Sequence, residues 1–572
     1  MFEMDNYKIW TKHELEDKDL SDELAAIKND VDEIKDRFYR DLEFGTGGLR
    51  GVIGAGTNRI NIYTVRKVTQ GLSEYLLSQN DSPSVAISFD SRIKSDVFAK
   101  EAARVLAGNG IKVYIYSKLM PTPCLSFAVR ELKCDAGIMV TASHNPAKYN
   151  GYKAYGPDGC QLTTVAADKV LDIVNQIDIF GGIKLADFET AVNDGEIEFI
   201  SKDVEDKYLA NVKAQAIHND VVQKAGLKVI YTPLNGTGNK PVRAILKSIG
   251  VKNILVVEQQ ENPDGMFPTC PFPNPEIPQA LDLGLKLCEK EKPDLLLATD
   301  PDCDRVGIAV PNRNGQYVLV SGNEVGALLL EYICSERTKL NTMPQNPVAV
   351  KTIVTTEIAA KIAKAYNVTM IDVLTGFKFI GEQIYYLEQK GEAGRYIFGF
   401  EESYGYLSGT YVRDKDGVVA SMLICEMAAY YRLNGMSILD ALNLIYKKYG
   451  YYDHTQESFT CEGETGMERM NEIMTNLRNN PPSEIANLKV VSFTDYLRKT
   501  STDYLTNKSS ETVLPKSDVI EFALEEDAKV IIRPSGTEPK IKVYYTAKSD
   551  SAANSKAISK LLKDDFTKIL GF

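Results

Sequence analysis

The sequence predicts an α/β protein: three similar consecutive α/β domains with mixed sheets plus a smaller C-terminal α+β domain, arranged around one central cleft. Three observations carry that expectation. Short apolar runs alternate with longer amphipathic ones through most of the chain, the pattern of repeated strand and helix units. The alternation passes through three rounds, and in each round one strand runs straight into an unusually polar loop. Finally, 572 residues exceed what a single hydrophobic core holds, while 44% hydrophobic and 25% charged residues describe an ordinary globular chain.

Taken in order, residues 12–40 are polar and helix-favouring, and they end at a glycine-rich turn, Phe44-Gly45-Thr46-Gly47-Gly48-Leu49-Arg50-Gly51. SVAISFD (84–90), IKVYIY (111–116) and AGIMVTAS (136–143) read as strands, and VFAKEAARVLAGNG (97–110) as a helix closed by glycine. The second round places strands at 227–234, 253–260 and 294–300 and a helix at 239–250. Six prolines from Pro263 to Pro278 exclude regular structure there, so that stretch is an ordered loop or linker. The third round has strands at 347–356, 368–375 and 396–403 with helices at 357–366 and 377–390, and two further helical stretches close it near Gly450. The β-rich run 528–548 and an amphipathic final helix make the last domain. The expected boundaries are 1–205, 206–322, 323–450 and 451–572.

Composition narrows the function. A formal net charge of −12 and a pI near 5.2 argue against a nucleic-acid binder, which needs surplus Lys and Arg along phosphates. Nine cysteines without a CxxC pair fit reduced thiols in a cytoplasmic protein better than a disulfide framework. No apolar stretch reaches the roughly 20 residues of a membrane span, and the charged N-terminus lacks a signal-peptide core.

The polar loops hold the chemistry. Thr141-Ala142-Ser143-His144-Asn145-Pro146 follows a strand and places the Ser143 hydroxyl outward at an exposed strand tip; taken alone, a polar turn is the preferred reading. Asp300-Pro301-Asp302-Cys303-Asp304-Arg305 sets three carboxylates at alternate positions, which repel one another unless a hard cation such as Mg²⁺ holds them. An EF-hand is excluded, because its sixth and twelfth positions would be Arg305 and Pro311. A dehalogenase-type aspartyl nucleophile is weighed against by the third Asp and the Arg. In Gly399-Phe400-Glu401-Glu402-Ser403-Tyr404-Gly405, an extended backbone would point Glu401 and Ser403 the same way, a pair suited to neighbouring sugar hydroxyls, although the bracketing glycines equally mark a plain loop. Arg533-Pro534-Ser535-Gly536-Thr537 has the composition of an anion-binding nest, with an ordinary hairpin turn as the alternative.

These loops, in this order, resemble the α-D-phosphohexomutase family, whose members include phosphoglucomutase and phosphomannomutase; the match runs from FGTGGLRG through TASHNP, DPDCDR and GFEESYG to RPSGTEPKIKVYY. The long leader, TDPDCDR and TGFKFIG look like the branch that also holds phosphopentomutases and glucose-1,6-bisphosphate synthases. Pro301 and Cys303 depart from the glycines of many relatives, with the three carboxylates retained. The resemblance implies that Ser143 is a phosphoserine carrier, with Mg²⁺ held by Asp300, Asp302, Asp304 and a phosphoserine oxygen. It implies Lys153 as general acid/base or electrostatic clamp, His144 as an orienting group, Arg50 beside the phosphoserine and Arg305 at the end of the metal loop. Glu401 and Ser403 would meet the sugar, and Arg533, Ser535, Gly536 and Thr537 the non-reacting phosphate, with Lys378 and Lys351 as further candidates.

The implied reaction interconverts glucose 1-phosphate and glucose 6-phosphate through glucose 1,6-bisphosphate, by a monomer or weak dimer that handles only small sugar phosphates. Alternatives on the same fold are phosphopentomutase, phosphomannomutase or bisphosphate synthase. Outside that class stand a metal-dependent sugar phosphatase and a sugar-phosphate-binding regulator.

Overall fold

The computed structural model describes residues 2–45, 47–461, 466–534 and 540–572. The chain forms two compact units, one of Met1–Ser321, Ile380–Phe398 and Ser403–Gly435, the other of Gly322–Phe379, Gly399–Glu402 and Met436–Phe572.

In the first unit, three leader helices (Phe2–Lys12, Lys18–Ala26, Val31–Phe38) precede the sheets. Asp17 and Asp30 cap the second and third by accepting backbone N–H bonds. Trp10, 1% exposed, fixes this leader by meeting Phe38, Tyr63 and Phe180 edge-on at centroid distances of 5.9, 5.6 and 5.3 Å. The first sheet uses β1 (Gly48–Val52), β2 (Ser84–Phe89), β3 (Lys112–Ile115), β4 (Ala136–Val140), β5 (Tyr149–Tyr155) and β6 (Ile197–Phe199) in the order β1-β5-β4-β2-β3-β6. β4, β2, β3 and β6 run parallel, and β5 is antiparallel to both β1 and β4, so the sheet is mixed.

β1 and β5 correct the reading of 44–51 as a turn. Gly48 to Val52 is a strand whose glycines disguise it: a Cβ on Gly48 would lie 2.3 Å from the Tyr152 carbonyl. Glycine serves close strand approach there, whereas its ordinary sequence signal is a turn or bulge.

The second sheet of this unit comprises β7 (Lys228–Thr232), β8 (Asn253–Val256), β9 (Leu295–Thr299), β10 (Val306–Pro311) and β11 (Tyr317–Val320), ordered β11-β10-β9-β7-β8. Leu295 to Ala298 are fully buried, which is why DLLLAT shows no polar alternation. In the second unit β12 (Val348–Thr352) and β13 (Thr369–Val373) run parallel, and further along the chain β14 (Tyr396–Glu401) leads through a turn into β15 (Gly405–Leu407). The second unit ends in an antiparallel sheet in which Tyr451–Thr460 pairs with Lys540–Ser549, which pairs with Lys529–Pro534, closed by the helix Ala552–Ile569.

All nine cysteines are buried and none forms a disulfide. Among the described residues, no helix is long and apolar enough to cross a membrane.

Candidate active site

β4 ends at Val140, and the chain then turns sharply because Asn145 precedes Pro146 and Ser143 adopts a left-handed φ of +52°. Ser143 is 3% exposed, which corrects the expectation of an outward hydroxyl. The hydroxyl faces inward, with Oγ 3.0 Å from Asp300 Oδ2 and 3.2 Å from His144 Nδ1. Sequence shows where a strand stops but not what packs over its tip, and here the loop after β9 covers it.

That loop carries the acidic cluster. Asp300, Asp302 and Asp304 are 0%, 0% and 1% exposed, and each offers one oxygen such that all three lie within 4.8 Å of one another. Asp300 Oδ1 accepts the backbone N–H groups of Asp304 (3.1 Å) and Arg305 (3.0 Å), which wraps the loop around it. Asp302 Oδ2 accepts from Thr122 Oγ1 at 2.9 Å and from Lys153 Nζ at 3.1 Å. The other oxygens, Asp302 Oδ1 and Asp304 Oδ1, are buried without a hydrogen-bond donor, as expected of atoms shaped to ligate a cation. Burial, then the charges of Asp302 and Asp304, pushes the Asp300 carboxyl far above its usual range, and burial with Asp302 pushes Asp304 up as well. Burial also works against Asp302, yet Lys153 and the hydrogen bonds it accepts hold its pKa below the usual range. Three buried oxygen anions with two orphan atoms fit a hard divalent cation.

Cations surround the cluster. Lys153 lies on β5, and its ammonium also stands 4.0 Å from Asp304 Oδ2. Arg50, on β1 opposite Gly151 of β5, is exposed and reaches Asn145 Oδ1 at 3.4 Å. Arg305 pairs with Glu276 of the proline-rich loop, and its Nε lies 3.8 Å from Asp304 Oδ1. Burial, followed by the Arg305 and Arg50 charges, depresses the His144 pKa far below normal, so its imidazole is neutral.

Two residues went unread in the sequence. Lys415 Nζ bonds Asp304 Oδ2 at 3.0 Å and Asp414 Oδ1 at 2.9 Å, making it a direct neighbour of the acidic cluster. It sits just before a helix (Gly417–Leu433) whose buried N-cap, Asp416, accepts from Val418 N (2.8 Å) and Val419 N (3.0 Å). A Cβ on Gly405 would lie 2.2 Å from Lys415 Cδ, so the glycine makes room for this side chain. The signal available was a lysine between two aspartates at a helix start. Glu276 lay within a stretch read only as a loop.

The third polar loop only partly matches expectation. β14 ends at Glu401, and Glu402 to Tyr404 form a turn in which Tyr404 takes a φ of +64°, so the segment is not extended through Ser403 as expected. Its end does meet the metal loop, where Val306 N donates to Tyr404 O at 3.0 Å and Arg305 bridges Gly405. Glu401, 6% exposed, accepts Gly376 N–H at 3.0 Å, and Ser403 is half-buried. Lys378 lies at the start of the helix Phe377–Gln389 with Nζ 5.3 Å from the Phe379 ring centroid. Lys351 is fully buried in ion pairs with Asp372 (2.9 Å) and Glu357 (3.3 Å), the setting of a structural lysine. Arg533 donates from Nε (3.3 Å) and Nη2 (3.2 Å) to the Tyr544 hydroxyl. It lines a cavity of about 310 Å³ with Thr375, Phe379, Asn471 and Ser517. Ser535, Gly536 and Thr537 lie outside the described residues.

The chain matches the phosphoglucomutase/phosphomannomutase family descriptions: alpha/beta/alpha domain I over residues 41–179, domain II over 206–315, domain III over 321–449 and the C-terminal domain over 483–557. A phosphoglucomutase from Staphylococcus aureus (strain bovine RF122 / ET3-1) is 40% identical over 519 residues, 90% of this chain and 91% of that protein. One from Staphylococcus saprophyticus is 38% identical over 505 residues, 88% and 90% of the two chains. The crystal structure of parafusin, a phosphoglucomutase from Paramecium, in its open form, shares the fold with a TM-score of 0.69 at 18% identity, covering 93% of this chain and 97% of that one.

Proposed function

Since the chain belongs to the phosphoglucomutase/phosphomannomutase family, we propose that it interconverts glucose 1-phosphate and glucose 6-phosphate, with Ser143 as the phosphoryl carrier. The observation that carries the reading is the Ser143 hydroxyl 3.0 Å from Asp300, at the edge of a buried three-aspartate cluster.

The phosphorylated Ser143 gives its phosphoryl group to the free hydroxyl of the sugar monophosphate, and the glucose 1,6-bisphosphate so formed returns its other phosphoryl group to Ser143. In the return step the Ser143 hydroxyl oxygen attacks phosphorus as the bond from phosphorus to the sugar oxygen breaks, and the serine proton ends on the sugar oxygen left behind, with neutral His144 Nδ1 the acceptor within reach of Oγ. Asp300, Asp302 and Asp304 would hold Mg²⁺, which when bound neutralises charge on the transferring group. Lys153, Arg305 and Lys415 keep a dense positive field around the carboxylates, and Arg50 adds a charge on the exposed side beside the Ser143 loop. Glu401 and Ser403 take the sugar hydroxyls, Arg533 with Ser535, Gly536 and Thr537 takes the non-reacting phosphate, and Lys378 assists.

The two staphylococcal relatives named phosphoglucomutase support glucose as the sugar, and the Glu-Glu-Ser-Tyr-Gly wording of residues 401–405 agrees with it. The test is kcat/KM for glucose 1-phosphate, mannose 1-phosphate and ribose 1-phosphate, each primed with glucose 1,6-bisphosphate. Glucose is expected to lead by about tenfold or more, the cost of one mismatched hydroxyl in a polar pocket. A ribose value above the glucose value overturns the assignment.

A further inference from the structure

Beneath the Ser143 loop lies a buried network that the reaction itself does not use. Thr141, 1% exposed, accepts the Ser143 N–H on its Oγ1 at 2.8 Å and donates from the same oxygen to Asp90 Oδ2 at 2.6 Å. Asp90, 2% exposed at the end of β2, accepts Arg92 N–H at 2.9 Å and the Ser95 hydroxyl at 2.7 Å on its other oxygen. The Arg92 guanidinium stands 3.4 Å from Asp90 and spends both terminal nitrogens on carbonyls of the loop: Nη1 on Pro146 O and Tyr149 O, each at 3.0 Å, and Nη2 on Ser143 O at 2.5 Å and on Asn145 O. The Phe267 ring of the proline-rich segment lies 5.1 Å from that guanidinium, which gives that stretch a place in the site.

Ser143 is held at a φ of +52°, a region a serine enters only when its surroundings over-determine it. Arg92 fixes the carbonyl side of residue 143 and Thr141 its N–H side, so the peptide planes on both sides of Ser143 are pinned, and with them the direction of Oγ. A bidentate fork that satisfies four carbonyls is a task a lysine does not reproduce.

We infer that Thr141, Asp90 and Arg92 are positioning residues for the Ser143 hydroxyl, acting on phosphoryl transfer through the backbone of the loop. The inference rests on Ser143 being the carrier. A displacement of about 1 Å at a reacting atom costs about a hundredfold in rate, and loss of one of two pins is expected to cost about 10- to 100-fold.

The test compares Thr141→Val, which keeps the branched shape and removes the hydroxyl, with Thr141→Ser, which keeps the hydroxyl. The rate of phosphoryl uptake from glucose 1,6-bisphosphate is read by intact mass beside kcat and KM for glucose 1-phosphate. Thr141→Val is expected to slow uptake and kcat together by about 10- to 100-fold with KM within about twofold, while Thr141→Ser retains most of both. Asp90→Asn, a second variant of unchanged shape, is expected to give the same kcat-selective loss. Uptake at the wild-type rate in Thr141→Val, or a Thr141→Ser enzyme as slow as Thr141→Val, overturns the inference while leaving the carrier reading intact. A wild-type protein that takes up no phosphoryl group instead sinks the carrier reading, and the inference with it.

Discussion

Replacing Lys415 with methionine removes a positive charge from between two buried carboxylates. Lys415 Nζ lies 3.0 Å from Asp304 Oδ2 and 2.9 Å from Asp414 Oδ1, and the two aspartate side chains are 1% and 9% exposed. Deleting one partner of a buried pair costs about 3–5 kcal/mol. The lower end applies here, because Tyr155 donates to Asp414 Oδ2 at 2.8 Å and Lys153 stands 4.0 Å from Asp304 Oδ2, so neither acid is stranded. In metal-free protein at pH 8 the expected loss is therefore about 3 kcal/mol.

Its pH dependence has a definite sign. Burial and Asp302 raise the Asp304 carboxyl, and the Lys415 charge is the largest influence opposing them, so Lys415→Met raises it further. A carboxyl whose folded pKa exceeds its unfolded value binds more protons when folded, so its contribution to stability falls as pH rises. The deficit of the variant is then greatest at pH 8 and shrinks towards pH 5, where a proton replaces the ammonium. The only tryptophan of the chain, Trp10, is 1% exposed in the unit that holds Lys415, so its fluorescence in a urea titration with EDTA reports the unfolding of that unit. A deficit under about 1 kcal/mol at pH 8, or one of equal size at pH 5 and pH 8, refutes the reasoning.

Three further outcomes are expected. Gly326→Ala puts a Cβ 2.1 Å from the Phe400 ring, an overpacking worth about 1–3 kcal/mol that lowers the melting temperature of the second unit; an unchanged calorimetric trace contradicts the packing. The His454 ring lies 2.8 Å from Thr356 Oγ1 and 3.1 Å from Thr546 Oγ1, and burial, against the pull of Glu357, lowers its pKa to about 4. The unfolded chain binds the extra proton between pH 6.5 and 4, so stability falls as pH drops through that window by about 3 kcal/mol, and His454→Asn should flatten that part of a pH-stability curve. EDTA should abolish turnover and Mg²⁺ restore it, with Asp302→Asn needing more Mg²⁺ for half-maximal rate; full activity in chelator contradicts the metal role of the cluster.

The strands with continuous apolar runs were legible, because AGIMV and DLLLAT are buried on both faces and leave an unbroken signal. β1 was not, since its glycines serve strand contact while carrying the composition of a turn. The acidic cluster was legible because its three carboxylates are neighbours in sequence and their repulsion demands a cation. Lys415 and Glu276 reach the site only through tertiary packing, and no spacing within the chain brings them to Asp304 and Arg305. The burial of Ser143 was misread for the same reason: the loop that covers it is 157 residues away. The extended backbone expected through Ser403 is instead a turn over residues 402–404, in which Tyr404 takes a positive φ. Cys303 takes a φ of +53°, a left-handed conformation that glycine enters without steric cost.

The central claim is that Ser143 carries the phosphoryl group. It is tested most directly by incubating wild type and Ser143→Ala with glucose 1,6-bisphosphate labelled in its phosphates, mapping the labelled peptide, and measuring turnover of glucose 1-phosphate on the same samples. The account predicts one label per wild-type chain, on Ser143, and an unlabelled Ser143→Ala protein with an unchanged circular-dichroism spectrum and only trace turnover. A label on another residue, or a Ser143→Ala enzyme that still turns over substrate at a substantial rate, would contradict it.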